Sequence, residues 1–209
     1  MNFEGLIFDL DGVIVSTEQN HYESWSLIAN ELDLEFNEEI NELLKGISRR
    51  DCLRILLERS NKSLADTEFE EALVRKNDSY KKSIGNLGSD AVLPGVIETI
   101  TNAKAKGKKL MVGSSSRNAR YILDRLNMMH FFDHIVDGND VMNPKPDPEV
   151  FLKGAELANL TPAQCVVLED AESGVVAAKN GGFQIVGVGN PNIKHTVENY
   201  FNTLEEFHF

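Results

Sequence analysis

The apolar run Gly5-Leu6-Ile7-Phe8 ends in Asp9-Leu10-Asp11-Gly12, and a second run, Gln164-Cys165-Val166-Val167-Leu168, ends in Glu169-Asp170. Two pairs of carboxylates therefore stand where short buried strands are expected to stop. A third run, 108–113, ends in Ser114-Ser115-Ser116, and the segment Pro144-Lys145-Pro146-Asp147-Pro148 brings in one ammonium group. Clustered carboxylates repel one another and cost energy unless a cation sits among them. Oxygen donors without His or Cys point to a hard ion, magnesium first. Such an ion keeps positions open for phosphate oxygens, and a hydroxyl and a lysine supply donors to the same phosphate. The chemistry open to this set is phosphoryl transfer, with a carboxylate as nucleophile forming an aspartyl phosphate. Each member alone has a blander use: a strand-end acid as a cap, a serine run as an N-cap, a lysine as a solvated charge. Their joint placement at strand ends carries the reading.

The elements that must position these groups follow from the hydrophobic pattern. Between about 17 and 85 apolar residues recur at helical spacing, as in Trp25, Ile28, Ala29 and Leu32, with no strand-like run. About four helices are expected there, with Ser48 and either Asp66 or Thr67 as N-caps. Gly85-Asn86-Leu87-Gly88-Ser89 then looks like a return linker. From Pro94-Gly95 onward helices and strands alternate. Helices are expected at 96–106, 117–128, 147–157 and 173–180, and strands at 108–113, 134–137, 164–168 and 183–188, the last clear strand. That alternation argues for a parallel sheet covered on both faces, with the helical segment inserted in its first crossover. Ligands of such sheets bind outside the carboxyl ends of the strands, where the acids and serines were found.

Composition sets outer limits. The 209 residues include 21 Lys+Arg and 33 Asp+Glu, a formal charge of −12, and 42% are hydrophobic. Nucleic acid is a poor partner for such a surface, and an anionic membrane would repel it. Cys52 and Cys165 are far apart, so buried free thiols are expected rather than a disulfide framework or zinc site. The amino-terminal residues lack the basic start of a signal peptide, and no window approaches the roughly 18 apolar residues of a membrane span. The expectation is a cytoplasmic protein, a monomer, acting on a small molecule. Gly187-Val188-Gly189 lacks the third glycine of a dinucleotide fingerprint and is discounted as one.

These residues resemble the haloacid dehalogenase-like superfamily of phosphotransferases. Asp9-Leu10-Asp11-Gly12 matches its first motif, Ser114 its second, Lys145 its third and Glu169-Asp170 its fourth, and the likeness covers nearly the whole chain. It implies a Rossmann-like parallel-sheet α/β core, residues 1–15 plus 89–209, with an inserted small α-helical cap, residues 16–88. By this resemblance Asp9 is the nucleophile and Asp11 the general acid and base, whose backbone carbonyl also meets Mg2+. Asp170 is a side-chain ligand of the metal, supported by Glu169. Ser114 and Lys145 hold the transferring phosphate, with Ser115 beside them. Leu44-Lys45-Gly46-Ile47-Ser48-Arg49 resembles the cap of the family's sugar-phosphate mutases, which implies that Arg49 grips a second phosphate. Ser116, Arg117 and Asn118 then contact that phosphate or the sugar. Thr17 and His21 position Asp11 from the hinge, and Lys76 faces the site from the cap. The activity implied is interconversion of β-glucose 1-phosphate and glucose 6-phosphate through a bisphosphate. The alternative is a phosphatase using the same nucleophile on a small sugar phosphate.

Overall fold

The computed structural model describes residues 2–209. Six strands form one sheet: β1 (Gly5–Phe8), β2 (Lys109–Gly113), β3 (His134–Val136), β4 (Cys165–Glu169), β5 (Gln184–Val188) and β6 (Asn199–Phe201). Their order is β3-β2-β1-β4-β5-β6, and every neighbouring pair is parallel. The chain runs outward from β1 to β3 on one side and from β4 to β6 on the other. The order therefore reverses between β1 and β4, the place where such sheets open a crevice for ligands. Register decides what lines it. Phe8 stands opposite both Val112 and Leu168, so Asp9 and Glu169 each emerge one residue further on.

Alternation along the strands fills a core on each face. Leu6, Phe8, Leu110, Val112 and Leu168 pack with α5 (Val96–Ala105) and α6 (Ala119–Arg125). Ile7, Met111, Val167 and Cys165 pack with α7 (Glu149–Leu157) and α8 (Glu172–Asn180). The inserted segment folds as α1 (Glu18–Leu32), α2 (Glu38–Leu43), α3 (Arg49–Arg59) and α4 (Asp66–Ser83). Those helices bury a third cluster, including Trp25, Ile28, Leu53, Leu56 and Ala72. The end of α4 departs from it: Tyr80 and Ile84 sit in the core beneath the sheet. Both cysteines are buried free thiols.

Four details differ from the sequence reading. A sixth strand, β6, extends the sheet beyond 183–188. It is three half-buried residues at an edge, too short for a periodic signal. Helix α4 is capped neither by Asp66 nor by Thr67. It starts after Ala65, whose N–H donates to Oε2 of Glu68 at 3.0 Å, so the glutamate does the capping from inside the helix. Helix α6 begins at Ala119 and ends at Arg125 rather than spanning 117–128. Ser116 and Asn118 are held in a turn by hydroxyl-to-amide bonds that compete with the helix. Helix α7 begins at Glu149, because Pro148 disfavours helical backbone at Asp147 before it, and Asp147 Oδ1 accepts from the Glu149 N–H at 2.9 Å.

Candidate active site

Lys145 is the centre of the buried charges. The residue is 1% exposed, and its ammonium donates to Asp9 Oδ1 at 2.5 Å and Glu169 Oε2 at 2.8 Å and lies 4.5 Å from the centre of the Phe151 ring. Burial opposes its charge, yet the two carboxylates hold its pKa above the ordinary lysine value. Glu169 is fully buried and also accepts from the N–H groups of Asp170 and Ala171. Gly174, on the facing turn of α8, makes this possible: a Cβ there would lie 2.1 Å from the Glu169 carboxyl carbon. Burial pushes Glu169 up to about 7, against the pull of Lys145. Burial and the neighbouring Glu169 and Asp9 charges raise Asp170 well above the usual carboxylate range.

Asp9, Glu169 and Asp170 each offer a carboxylate oxygen within 4.8 Å of the others. Three carboxyl groups stand against one ammonium, so their ionised forms carry a negative excess that a cation would relieve, and all the donors are oxygen. That set fits a hard divalent cation. Gly12 is part of the enclosure. It takes φ +81, and a Cβ on it would come within 2.0 Å of Asp170 Oδ2, so no side chain can stand there. The Asp11 carboxylate is not in this group.

Asp11 instead turns toward the helical insertion. Thr17 Oγ1, just before α1, donates to Asp11 Oδ1, and Tyr80 Oη of α4 donates to Thr17 Oγ1 at 2.9 Å. His21 Nε2 stands 3.9 Å from Asp11 Oδ2, and the His21 Nδ1 is 2.9 Å from Lys76 Nζ. Burial raises Asp11 to about 6; the Thr17 bond and the Lys76 charge pull it down, the Asp9 charge pushes it up. Lys76 is itself buried, between the Trp25 and Tyr80 rings, at 5.1 and 4.6 Å from their centres. Burial and the positive Arg49 bring Lys76 down to about 7.

The serines and the remaining cations complete the walls. Ser114 Oγ accepts from the Ser116 N–H, and Ser116 Oγ from the Asn118 N–H, so consecutive hydroxyls brace one turn after β2. Ser115 Oγ is buried without a protein partner among the described residues. Asn118 donates to Asn77 Oδ1 of α4 at 2.9 Å, tying the core turn to the insertion. Arg117 Nε donates to the Gly138 carbonyl, and Arg49 Nη1 to the Leu73 carbonyl. Burial and the positive Arg117 lower the Arg49 pKa, so these two guanidiniums share one space. A cavity of about 530 Å³ has Asp9, Asp11, Arg49, Lys76, Ser114 and Arg117 in its walls. Thr17, Lys145 and Glu169 stand behind that wall and touch its residues.

The structure thus brings together every residue singled out in the sequence. It adds Tyr80 and Gly174, which carried no motif, and gives Asn77, part of the Arg75-Lys76-Asn77-Asp78 run that resembles the family's cap, a contact with Asn118. Tyr80 had one usable signal, its place one helical turn after Lys76.

Comparison with known proteins agrees with this geometry. The beta-phosphoglucomutase of Bacillus subtilis is 39% identical over 188 residues, covering 89% of this chain and 83% of that protein. A phosphorylated carbohydrates phosphatase of Thermotoga maritima is 35% identical, covering 88% and 85%. The crystal structure of beta-phosphoglucomutase from Clostridium difficile superposes with a TM-score of 0.95 at 34% identity, covering 99% of this chain and 94% of that one. No helix among the described residues is long and apolar enough to cross a membrane. Residues 6–188 match the family described as haloacid dehalogenase-like hydrolase, which takes in both carboxylate pairs, and the chain is a phosphotransferase-type enzyme belonging to that family.

Proposed function

We propose that this enzyme is a magnesium-dependent sugar-phosphate mutase interconverting β-glucose 1-phosphate and glucose 6-phosphate. The observation that carries this reading is the setting of Asp11. Its carboxyl is held by Thr17 and Tyr80 where the inserted segment joins the core, and tuned by His21 and Lys76 from the helices of that segment. Acid–base power therefore depends on that segment being shut over the substrate, which is what a mutase needs to keep water from an aspartyl phosphate.

Asp9 carries the phosphoryl group, with Lys145 holding one of its oxygens. The group passes to the hydroxyl on sugar carbon 6: the bond from phosphorus to Asp9 breaks, the bond to the sugar oxygen forms, and Asp11 takes the hydroxyl proton. The bisphosphate then turns end for end. Asp9 attacks the phosphorus on carbon 1, and Asp11 returns the proton to the departing oxygen. Asp9, Glu169, Asp170 and the Asp11 carbonyl would hold the cation, which when bound neutralises charge on the transferring phosphate. Ser114 and Ser115 donate to that phosphate. Arg49 and Arg117 take the other one, since an anion between two crowded guanidiniums relieves their repulsion. Ser116 and Asn118 face the sugar.

A second reading, a sugar-phosphate phosphatase, uses the same nucleophile with water as acceptor, and the Thermotoga maritima relative supports it. A coupled assay separates them. Glucose 6-phosphate formed from β-glucose 1-phosphate, primed by the bisphosphate, supports the mutase. Free phosphate with no isomer supports the phosphatase and overturns our reading.

A further inference from the structure

Gly187-Val188-Gly189, which has no dinucleotide role, ends β5 beside the carboxylate cluster. Gly189 takes φ +76, and its N–H donates to the Phe201 carbonyl at 3.0 Å. That left-handed turn reverses the chain and sets Asn190 between two parts of the molecule. Asn190 Nδ2 donates to the Asp170 carbonyl at 2.9 Å and to Glu42 Oε1, on α2, at 3.0 Å. Asn192 Nδ2 reaches the same Glu42 oxygen at 3.3 Å. The other Glu42 oxygen pairs with Lys45 at 2.7 Å, and Lys45 with Glu18 at 2.8 Å. Alongside, Ser173 Oγ donates to the Lys45 carbonyl at 3.2 Å, and a Cβ on Gly46 would lie 2.4 Å from that hydroxyl. The insertion and the core are thus in close contact on both sides of Asp170, along a second cavity of about 340 Å³.

We propose that Glu42 and Asn190 form a clasp that makes cation affinity at Asp9, Glu169 and Asp170 depend on closure of the helical insertion. The inference rests on the cation site proposed above. An asparagine amide has two N–H groups, and here one holds the Asp170 backbone while the other holds the insertion. Opening the insertion withdraws Glu42, and Asn190, whose Oδ1 still accepts from the Asn192 N–H at 3.0 Å, loses the charged partner of its amide nitrogen. Its hold on the Asp170 carbonyl then slackens. Outer partners of this kind orient a ligand and set its grip on the metal. Coupling is reciprocal, so cation binding must favour closure by the same factor. Glu42 and Asn190 are positioning residues, since neither belongs to the carboxylate group itself.

The test is Mn2+ binding to the full chain without substrate, read from the electron paramagnetic resonance of free Mn2+, with small-angle scattering for closure. Glu42→Ala and Asn190→Ala should each weaken Mn2+ about tenfold, and the double variant no further. Glu42→Gln keeps an acceptor for Asn190 and should retain wild-type affinity. Asn190→Asp adds a negative charge near the cation, which by Coulomb attraction alone would tighten binding; the clasp requires it to weaken. Mn2+ should compact the wild type and neither alanine variant. Unchanged affinity in Glu42→Ala, equal loss in Glu42→Gln and Glu42→Ala, or tighter binding by Asn190→Asp would each overturn the clasp. A wild-type chain that takes up no Mn2+ overturns the cation site instead.

Discussion

The Lys76 ammonium lies 2.9 Å from Nδ1 of His21, and both groups are pushed toward their neutral forms. Burial is the main cause for each; Arg49 adds to it for Lys76, and Lys76 and Arg49 add to it for His21. A lysine that keeps part of its charge near neutral pH still lowers the pKa of Asp11. Lys76→Met removes that charge, so the Asp11 pKa must rise. Where Asp11 acts as a base it must be ionised, and the acid limb of kcat should then move to higher pH than in the wild type. A pH profile whose acid limb stays in place in Lys76→Met would contradict the coupling.

Thr17 acts on the same carboxyl by a different route. Its hydroxyl donates to the ionised form and so lowers the Asp11 pKa. Thr17→Val keeps the shape and loses the donor, so the acid limb again moves up. Tyr80→Phe leaves Thr17 its hydroxyl but removes the group that orients it. Its shift should have the same sign and be smaller. Asp11→Asn removes proton transfer altogether, and kcat should fall by roughly 10²–10⁴-fold.

Lys145 bears on stability as well as chemistry. Removing it leaves Asp9 and Glu169 buried without their counter-charge. Breaking such a pair costs about 3–5 kcal/mol, so Lys145→Met should unfold at markedly lower denaturant concentration. The sign with pH is fixed by the direction of the shift. A lysine whose folded pKa is raised contributes stability that is fully present below about 10.4 and lost as pH rises through the folded value. Lys145→Met should therefore lose the stability difference from wild type only in strong alkali. A variant as stable as wild type at pH 7 would show that the ion pairs carry no net stabilisation.

Much of this site was legible because strand ends announce themselves. An apolar run stopping at Asp9 or Glu169 fixes both the element and the edge on which its acid falls. Helical spacing likewise exposed the insertion. Within the site, the missing parts share one physical feature: they depend on contacts distant in sequence. Tyr80 matters because α4 returns to Thr17, 63 residues earlier in the chain. Asn190 matters because β5 lies beside β4 and the turn that follows β5 meets Glu42 of α2. Short β6 and the Ala65 cap were hidden for a local reason. One has too few residues to show a period, and the other uses a side chain three positions inside the helix.

Arg49 offers the sharpest separation of mutase from phosphatase. It opens α3, faces Arg117 across the cleft, and spends one N–H on the Leu73 carbonyl, which leaves the rest of its fork for a ligand. If a distal phosphate bridges these two cations, it pulls the insertion onto the core when substrate arrives. Arg49→Ala removes that pull without touching Asp9 or Asp11. KM should rise by roughly 10–100-fold, the scale of one charge-assisted phosphate contact of about 1.5–3 kcal/mol. The fraction of aspartyl phosphate lost to water should rise with it, because an unclosed site admits solvent. Arg49→Lys keeps the charge but not the fork, so it should recover less than half of the loss in free energy. Rapid-quench measurement of glucose 6-phosphate against free phosphate reads both quantities. An Arg49→Ala enzyme with a higher KM and an unchanged product ratio would show that Arg49 binds substrate without gating water.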